Sequence, residues 1–339
     1  MKFGISNRKS RGRRIVGERK LEEKVRDEES YLWDQSNPNF RLTGVIGWWE
    51  NVRRFMEQGF QASEQKSSSR EAIEKAQAGN QPVIEIENVI KAFMTPDQGR
   101  MVALENITLN IPYGEFVTVV GPSGCGKSTL LKLIAGLTPI SAGRILYQGA
   151  EVRGLNTKVG YVPQESKLFP WLTLEENVAF GLDPKRYSRQ ERERQVRYFI
   201  NLAGLSGFER YYPAQLSGGM GKRASIIRAL AYEPPVILMD EPFGPLDAQT
   251  RMILQDELLK IWEQKRQTII FVTHDLVEAV ALADRVVVIT HRPGRVKDFI
   301  QVPMRRPRNI FEIHRQEGFD EAYGRLWNIF RNELNIGAA

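Results

Sequence analysis

The stretch Gly121-Pro122-Ser123-Gly124-Cys125-Gly126-Lys127-Ser128-Thr129 constrains this chain more than any other. It follows Phe116-Val117-Thr118-Val119-Val120, an apolar run rich in β-branched residues that reads as a buried strand. It precedes Leu130, Leu131, Leu133, Ile134 and Ala135, whose spacing suits a helix packed on that strand. The loop fits Gly-x4-Gly-Lys-Ser/Thr, the phosphate-cradling P-loop. Glycines let the backbone curl so that successive N–H groups point inward at an anion. The helix N-terminus adds its partial positive charge. Lys127 brings a full charge to the β and γ phosphates, and the Ser128 hydroxyl suits a Mg²⁺ ligand. A dinucleotide fingerprint does not fit, because Thr129 stands where that pattern needs its third glycine. The loop predicts a nucleoside-triphosphate site.

Composition narrows the setting. Cys125, inside the loop, is the only cysteine in 339 residues, which rules out an internal disulfide and a multi-cysteine metal site. Apolar residues make up 42% and charged residues 26%, as expected of a globular protein. The basic N-terminus is not followed by a signal-like apolar stretch, and no run of 18 apolar residues occurs, so a soluble intracellular protein is expected. The net charge of +7 is uneven, with 16 Lys/Arg against 12 Asp/Glu in residues 1–82. Mixed with Glu22, Glu23, Asp27, Glu28 and Glu29, that excess reads as a solvated face rather than a nucleic-acid footprint.

Three regions are expected. Residues 1–82 read as an extension: polar and aperiodic over 1–40, an amphipathic helix over 42–60, and a linker over 61–82. The apolar face of that helix carries Trp48, Trp49, Val52 and Phe55, and suits either a membrane interface or packing on protein. Residues 83–290 read as the main domain. In it Val83, Ile84, Ile86 and Val89 suggest an edge strand, and residues 164–232 are mostly helical. Val236-Ile237-Leu238-Met239, Ile269-Ile270-Phe271-Val272 and Val286-Val287-Val288-Ile289 are short apolar runs separated by helices, which predicts an α/β fold around a mostly parallel sheet. Residues 291–339 read as a hairpin and a closing amphipathic helix through Phe319, Tyr323, Leu326, Trp327 and Phe330.

The strand at Val236 ends in Asp240-Glu241, where ligands of open α/β sheets sit. Asp240 is placed for the Mg²⁺ shell and Glu241 to orient and polarise a water as general base. Between P-loop and strand, Leu216-Ser217-Gly218-Gly219-Met220 offers a helix N-cap with two glycines, a second anion site. With these motifs in this order the chain resembles an ATP-binding cassette (ABC) ATPase over residues 83–289. The resemblance implies the ABC cassette fold: a P-loop NTPase core, an antiparallel β subdomain and a helical subdomain.

It also implies roles. Cassettes of this family dimerise head to tail, so Ser217, Gly218 and Gly219 would contact the γ-phosphate of ATP held by a second cassette, identical or not. Gln164 matches the Q-loop glutamine, His274 the switch histidine and Asp247 the D-loop aspartate at the dimer seam. Phe93 takes the A-loop position, where stacking on adenine is worth ~1–3 kcal/mol by analogy with base stacking. Gly121, Pro122, Ser123, Gly124, Cys125, Gly126, Lys127, Ser128 and Thr129 would wrap ATP, with Mg²⁺ held by Ser128, Gln164 and Asp240. Two departures stand out: Pro245 where alanine is usual, and Gly221-Lys222-Arg223 where the family continues with a glutamine before the arginine.

Chromosome-organising ABC ATPases interrupt the cassette with a coiled coil, yet only 113 positions separate Lys127 from Asp240. Excision-repair types need many cysteines. A transporter subunit is therefore expected, with no nucleic-acid partner; the alternatives are an exporter or lipid-transport ATPase, then a non-transport ATPase. Leu168-Phe169-Pro170-Trp171-Leu172-Thr173 is expected to receive a permease coupling helix or to pack locally. Phe169-Pro170-Trp171 and Asp240-Glu241-Pro242-Phe243-Gly244, together with Arg292-Pro293-Gly294-Arg295-Val296 and the run Val302 to Arg308, make the chain similar to the nitrate/sulfonate/taurine/bicarbonate importer ATPases. This resemblance implies work beside a permease and a substrate-binding protein, at the cytoplasmic face of the membrane.

Overall fold

The computed structural model describes residues 82–333, apart from residues 96–98, 183, 185 and 186 and the side chain of Asn332. The helix expected over 42–60, and the remainder of the extension up to residue 81, lie outside the described residues. In chain order come β1 (Pro82–Met94), β2 (Arg100–Pro112), β3 (Phe116–Val120), α1 (Lys127–Ile134), β4 (Ala142–Tyr147), β5 (Ala150–Glu151) and β6 (Val159–Val162). Three helices follow, α2 (Leu174–Ala179), α3 (Arg189–Leu202) and α4 (Gly218–Ala231). The remainder alternates: β7 (Val236–Asp240), α5 (Ala248–Lys265), β8 (Thr268–Val272), α6 (Leu276–Leu282), β9 (Arg285–Ile289), β10 (Val296–Gln301) and α7 (Phe319–Glu333).

The short apolar runs form the central sheet, in the order β10-β9-β3-β8-β7-β6. All neighbours pair in parallel except β10, which returns antiparallel along β9. Successive side chains in a strand point to opposite faces, and here both faces are dry. In β8, Ile269 and Phe271 enter one apolar core while Ile270 and Val272 enter the other. β7 divides the same way, Ile237 and Met239 against Val236 and Leu238. The first core is closed by the helices from α2 to α7, the second by α1 and a separate antiparallel sheet of order β2-β1-β4-β5. The run at Val83 is thus not an edge strand: β1 lies between β2 and β4 and bonds to both. Alternation in a sequence reports which faces are buried, not how many neighbours a strand has.

Register aligns the strand ends. Val119 of β3 stands opposite Val272 of β8, which stands opposite Asp240 of β7, while Val162 of β6 stands opposite Met239. Four loops therefore leave the sheet side by side at its carboxyl edge. The tail secures this arrangement from behind. Arg308, 6% exposed, donates to the carbonyls of Ala281 (3.0 Å) and Ala283 (2.7 Å) at the end of α6, and Arg306 donates to Leu282 O and Asp284. Cations there satisfy carbonyls that a helix C-terminus leaves open.

The segment from Phe169 to Thr173 is shaped by one buried amide. Asn177, fully buried, donates to the carbonyls of Phe169 (3.1 Å), Leu172 (2.9 Å) and Thr173 (3.0 Å) and accepts from the Phe169 N–H at 2.8 Å. Phe169 packs on Phe180 with ring centroids 4.4 Å apart and on Trp171 at 5.5 Å. Part of the apolar set is thus spent on local packing. Removing the amide leaves several backbone groups unsatisfied, each worth about 1–3 kcal/mol when buried. Asn177→Ala is expected to lower stability by about 2–3 kcal/mol, seen as a fall of roughly 4–10 °C in thermal midpoint by calorimetry.

Candidate active site

Between β3 and α1 the loop turns so tightly that Gly126 takes φ +107°, a conformation side chains disfavour. A Cβ there would also lie 2.6 Å from Leu104 Cδ2. No side chain caps the N-terminus of α1, so its first amides point into the loop as free anion donors. The Lys127 ammonium is buried and donates to the carbonyls of Gly121 (2.8 Å) and Pro122 (3.1 Å), at the mouth of the same loop. This donor set fits a polyphosphate.

Beside it, Ser128 Oγ donates to Asp240 Oδ1 at 2.8 Å, and the Tyr161 hydroxyl reaches Asp240 Oδ2 at 3.4 Å. A hydroxyl and a carboxylate are hard oxygen donors, the set that Mg²⁺ takes alongside substrate phosphates. Asp240 is 2% exposed; burial raises its pKa, the Ser128 hydroxyl draws it back, and Glu241 raises it further. The Tyr161 hydroxyl is pushed up as well, by burial first and then by Asp240.

The chain then bends. Glu241 has φ +43°, a left-handed conformation costing a residue with a side chain about 1–2 kcal/mol. Its N–H still donates to Val272 O at 3.0 Å, so the strand pairing runs to the bend. Its carboxylate accepts from Gln164 Nε2 at 3.0 Å, and His274 Nδ1 lies 3.5 Å from the same oxygen. The structure thus brings together Gln164 after β6, Glu241 after β7, His274 after β8 and the P-loop after β3. Gln164 and His274 are exposed, which leaves the group open to a partner surface.

Ser217, Gly218, Gly219 and Asp247 form a second group. Ser217 caps α4 by accepting from Met220 N at 3.3 Å, and Asp247 caps α5 by accepting from Thr250 N at 3.0 Å. Those bonds hold the Asp247 carboxyl below its usual range. A Cβ on Gly219 would stand 3.8 Å from Leu246, just ahead of Asp247, whereas one on Gly218 would meet nothing within 4 Å. Gly218 is exposed on the outer surface and Gly219 partly so.

Phe93, 37% exposed, carries the Lys91 ammonium 4.7 Å from its ring centroid and pairs across the sheet with Met101. Met101 Sδ in turn accepts from Arg292 Nη1 at 3.0 Å. Arg292 was given no role by the sequence, yet its guanidinium holds Gly124 O through Nε (3.2 Å) and Nη2 (2.9 Å). Gly294 makes that approach possible by packing against the Cys125 carbonyl, where a Cβ would clash. Its N–H also donates to Ala103 O at 3.0 Å. The run from Arg292 to Arg295 carries this contact in plain sight, but nothing local marks the P-loop as its target.

The sequence profile of the ABC transporter family matches residues 104–244. An uncharacterized ABC transporter ATP-binding protein of Methanocaldococcus jannaschii is 48% identical over 251 residues, 74% of this chain and 92% of that protein. The aliphatic sulfonates import ATP-binding protein SsuB of Bacillus thuringiensis subsp. konkukian is 46% identical over 223 residues, 66% of this chain and 87% of that protein. Among solved structures, an ATP-binding cassette in a dimeric post-hydrolysis state bound to ADP and Pi aligns with TM-score 0.59 and 34% identity, covering 64% of this chain and 98% of that one.

One carboxyl behind the site is protonated more readily than usual. Glu278 on α6 is 6% exposed and accepts from Gln255 Nε2 of α5 at 2.8 Å. Burial pushes its pKa up to about 7, against the lowering effect of its bonds from Thr273 and Gln255. The folded state therefore binds this proton more tightly than the unfolded state does, and stability falls as pH rises from about 4.5 to about 7. Glu278→Gln keeps an acceptor without the charge. It is expected to raise the thermal midpoint at pH 8, where the charge cost of roughly 3 kcal/mol is fully felt, and to leave it nearly unchanged at pH 4.5.

Proposed function

Because the chain belongs to the ABC transporter ATP-binding family, we propose that it is the ATP-hydrolysing subunit of an importer for a small anion of the sulfonate class. The observation that carries the hydrolytic part is the meeting of Gln164, Glu241 and His274 one residue beyond Asp240, itself bonded to Ser128. Glu241 is poised to accept a proton from water, and its left-handed backbone turns the carboxylate toward Gln164 and His274. Lys127 and the amides of α1 hold the β and γ phosphates. Mg²⁺, held by Ser128, Asp240 and Gln164, would neutralise the charge developing on the phosphates. Phe93 stands at the adenine, and Arg292 braces the P-loop carbonyl at Gly124.

The exposed Gly218 and the spent cap of Ser217 support completion of the site by a second cassette. There the backbone of Leu216 to Met220, the stretch that matches the family signature, would meet a partner's γ-phosphate, with Asp247 at the seam. We assign residues 83–290 to the cassette, 291–339 to the hairpin and closing helix, and 1–82 to an extension. Among the described residues no helix is long and apolar enough to cross a membrane. Likeness to an import ATP-binding protein supports a membrane-spanning permease as partner. The segment from Leu168 to Thr173, held rigid by Asn177, is the surface offered to that permease at the cytoplasmic face. Likeness to the sulfonate import protein supports the cargo class, and a substrate-binding protein would deliver it.

Glu241→Gln keeps shape and hydrogen bonding but not the base. It is expected to retain ATP binding and lose turnover by at least about 100-fold, the lower end of a general-base contribution; near-normal turnover in the permease complex overturns the assignment. Lys127→Ala is expected to weaken binding of a fluorescent ATP analogue at least about tenfold, for loss of a charge-assisted contact worth ~1.5–3 kcal/mol. For the cargo, ATPase activity of the reconstituted complex is measured with binding protein loaded with an alkanesulfonate, nitrate or bicarbonate. Stimulation by the sulfonate alone supports the class, and stimulation by neither sulfonate nor another anion overturns it.

A further inference from the structure

Lys222 lies within α4, five residues after the N-cap Ser217, where the family resemblance leads one to expect glutamine. It is 1% exposed, and a lysine is seldom buried to that degree without partners. Its partners are two carbonyls of the Q-loop: Nζ donates to Pro163 O at 2.6 Å and to Gln164 O at 2.8 Å. Charge-assisted bonds of this length are the strong kind. The stretch they hold has little else beneath it, for Gln164, Glu165, Ser166 and Lys167 are all exposed. From the same Gln164 the side-chain amide reaches Glu241 Oε2 at 3.0 Å. An unbroken line of contacts therefore runs from α4 through the Lys222 ammonium and the Gln164 backbone to the Glu241 carboxylate.

We propose that Lys222 is a positioning residue for hydrolysis, one that fastens the Q-loop backbone to the helix behind the signature and so sets where Gln164 meets Glu241. Movement of α4, whose N-terminus carries Ser217 to Gly219, is thereby transmitted to the groups around the attacking water. Glutamine at this position would be one atom shorter and neutral, with a weaker hold on both carbonyls. The inference rests on the assignment of Gln164 and Glu241 to water handling.

The test is a double-mutant cycle in the full chain, joining Lys222→Gln or Lys222→Met with Gln164→Ala and reading kcat, KM for ATP, binding of a fluorescent ATP analogue, and amide hydrogen exchange. Lys222→Gln is expected to lower kcat by about tenfold, the equivalent of ~1.4 kcal/mol of barrier, with nucleotide affinity changed less than about twofold. Lys222→Met should lower kcat at least as far. In the Gln164→Ala background the same changes should cost less than about twofold, because the line of contact is already cut. Exchange at residues 164–167 should quicken in Lys222→Gln while exchange in the P-loop helix stays as it was. Equal losses in both backgrounds, a kcat within twofold of the parent, unchanged exchange at 164–167, or a loss carried by nucleotide binding would each overturn the proposal. Glu241→Gln separates the two levels: if it abolishes turnover while the cycle is additive, only the role of Lys222 fails.

Discussion

The parallel register of β6, β7, β8 and β3 is what the remainder of the molecule depends on. Because Val119, Val272 and Asp240 stand level across three strands, the loops that follow them emerge at one edge within hydrogen-bonding reach. Ser128 meets Asp240, Gln164 meets Glu241 and His274 stands beside it, although these pairs are separated by as many as 112 positions in the chain. A slip of one residue in β7 would exchange its two apolar faces and bury Glu241 in place of Asp240. The two dry cores make such a slip prohibitive: Ile237 and Met239 have only one core they can enter, and Val236 and Leu238 the other. The precision of the site is thus a by-product of burying a sheet on both sides.

Charge at that edge is organised by depth. Asp240 is buried and bonded to Ser128 and Tyr161, whereas Glu241, one residue on, lies beyond the bend and faces exposed groups. Adjacent carboxylates in such different surroundings suit different work, one holding a cation and the other moving a proton. The cations around them are likewise fixed by backbone carbonyls rather than by the acids themselves: Lys127 by Gly121 and Pro122, Lys222 by Pro163 and Gln164, Arg292 by Gly124. Each can then be present without collapsing onto a carboxylate. Phosphate binding needs such an arrangement, since a lysine locked in a strong ion pair has less to offer an arriving anion.

What was legible in the chain follows from locality. The P-loop and the strand ending at Asp240 are contiguous runs whose chemistry can be read from neighbouring residues. Gln164 and His274 carry no local mark, and only the ordered resemblance of motifs singled them out. Three features escaped for physical reasons. Interior and edge strands share the same alternation, so the place of β1 between β2 and β4 was hidden. Arginines ordinarily read as surface, yet Arg306 and Arg308 are tucked under the end of α6 because open carbonyls there need donors. Asn177 looked like one polar residue among many, and its importance lies in four bonds made across a fold of the chain.

The same limit of locality applies to the groups that brace the site from a distance. The profile match ends at residue 244, yet the turn from Arg292 to Arg295 comes back to grip the P-loop and β2. Lys222 takes hold of the Q-loop from a buried point on α4. Neither contact is made to the groups read as phosphate ligands. Both act on the backbone that carries one, through carbonyl groups whose positions every variant of the loop must keep. A loop built from glycine and short polar residues has little packing of its own to define it. Its geometry must then come from cations anchored elsewhere, on α4 and after β9, and motion of those elements becomes motion of the site.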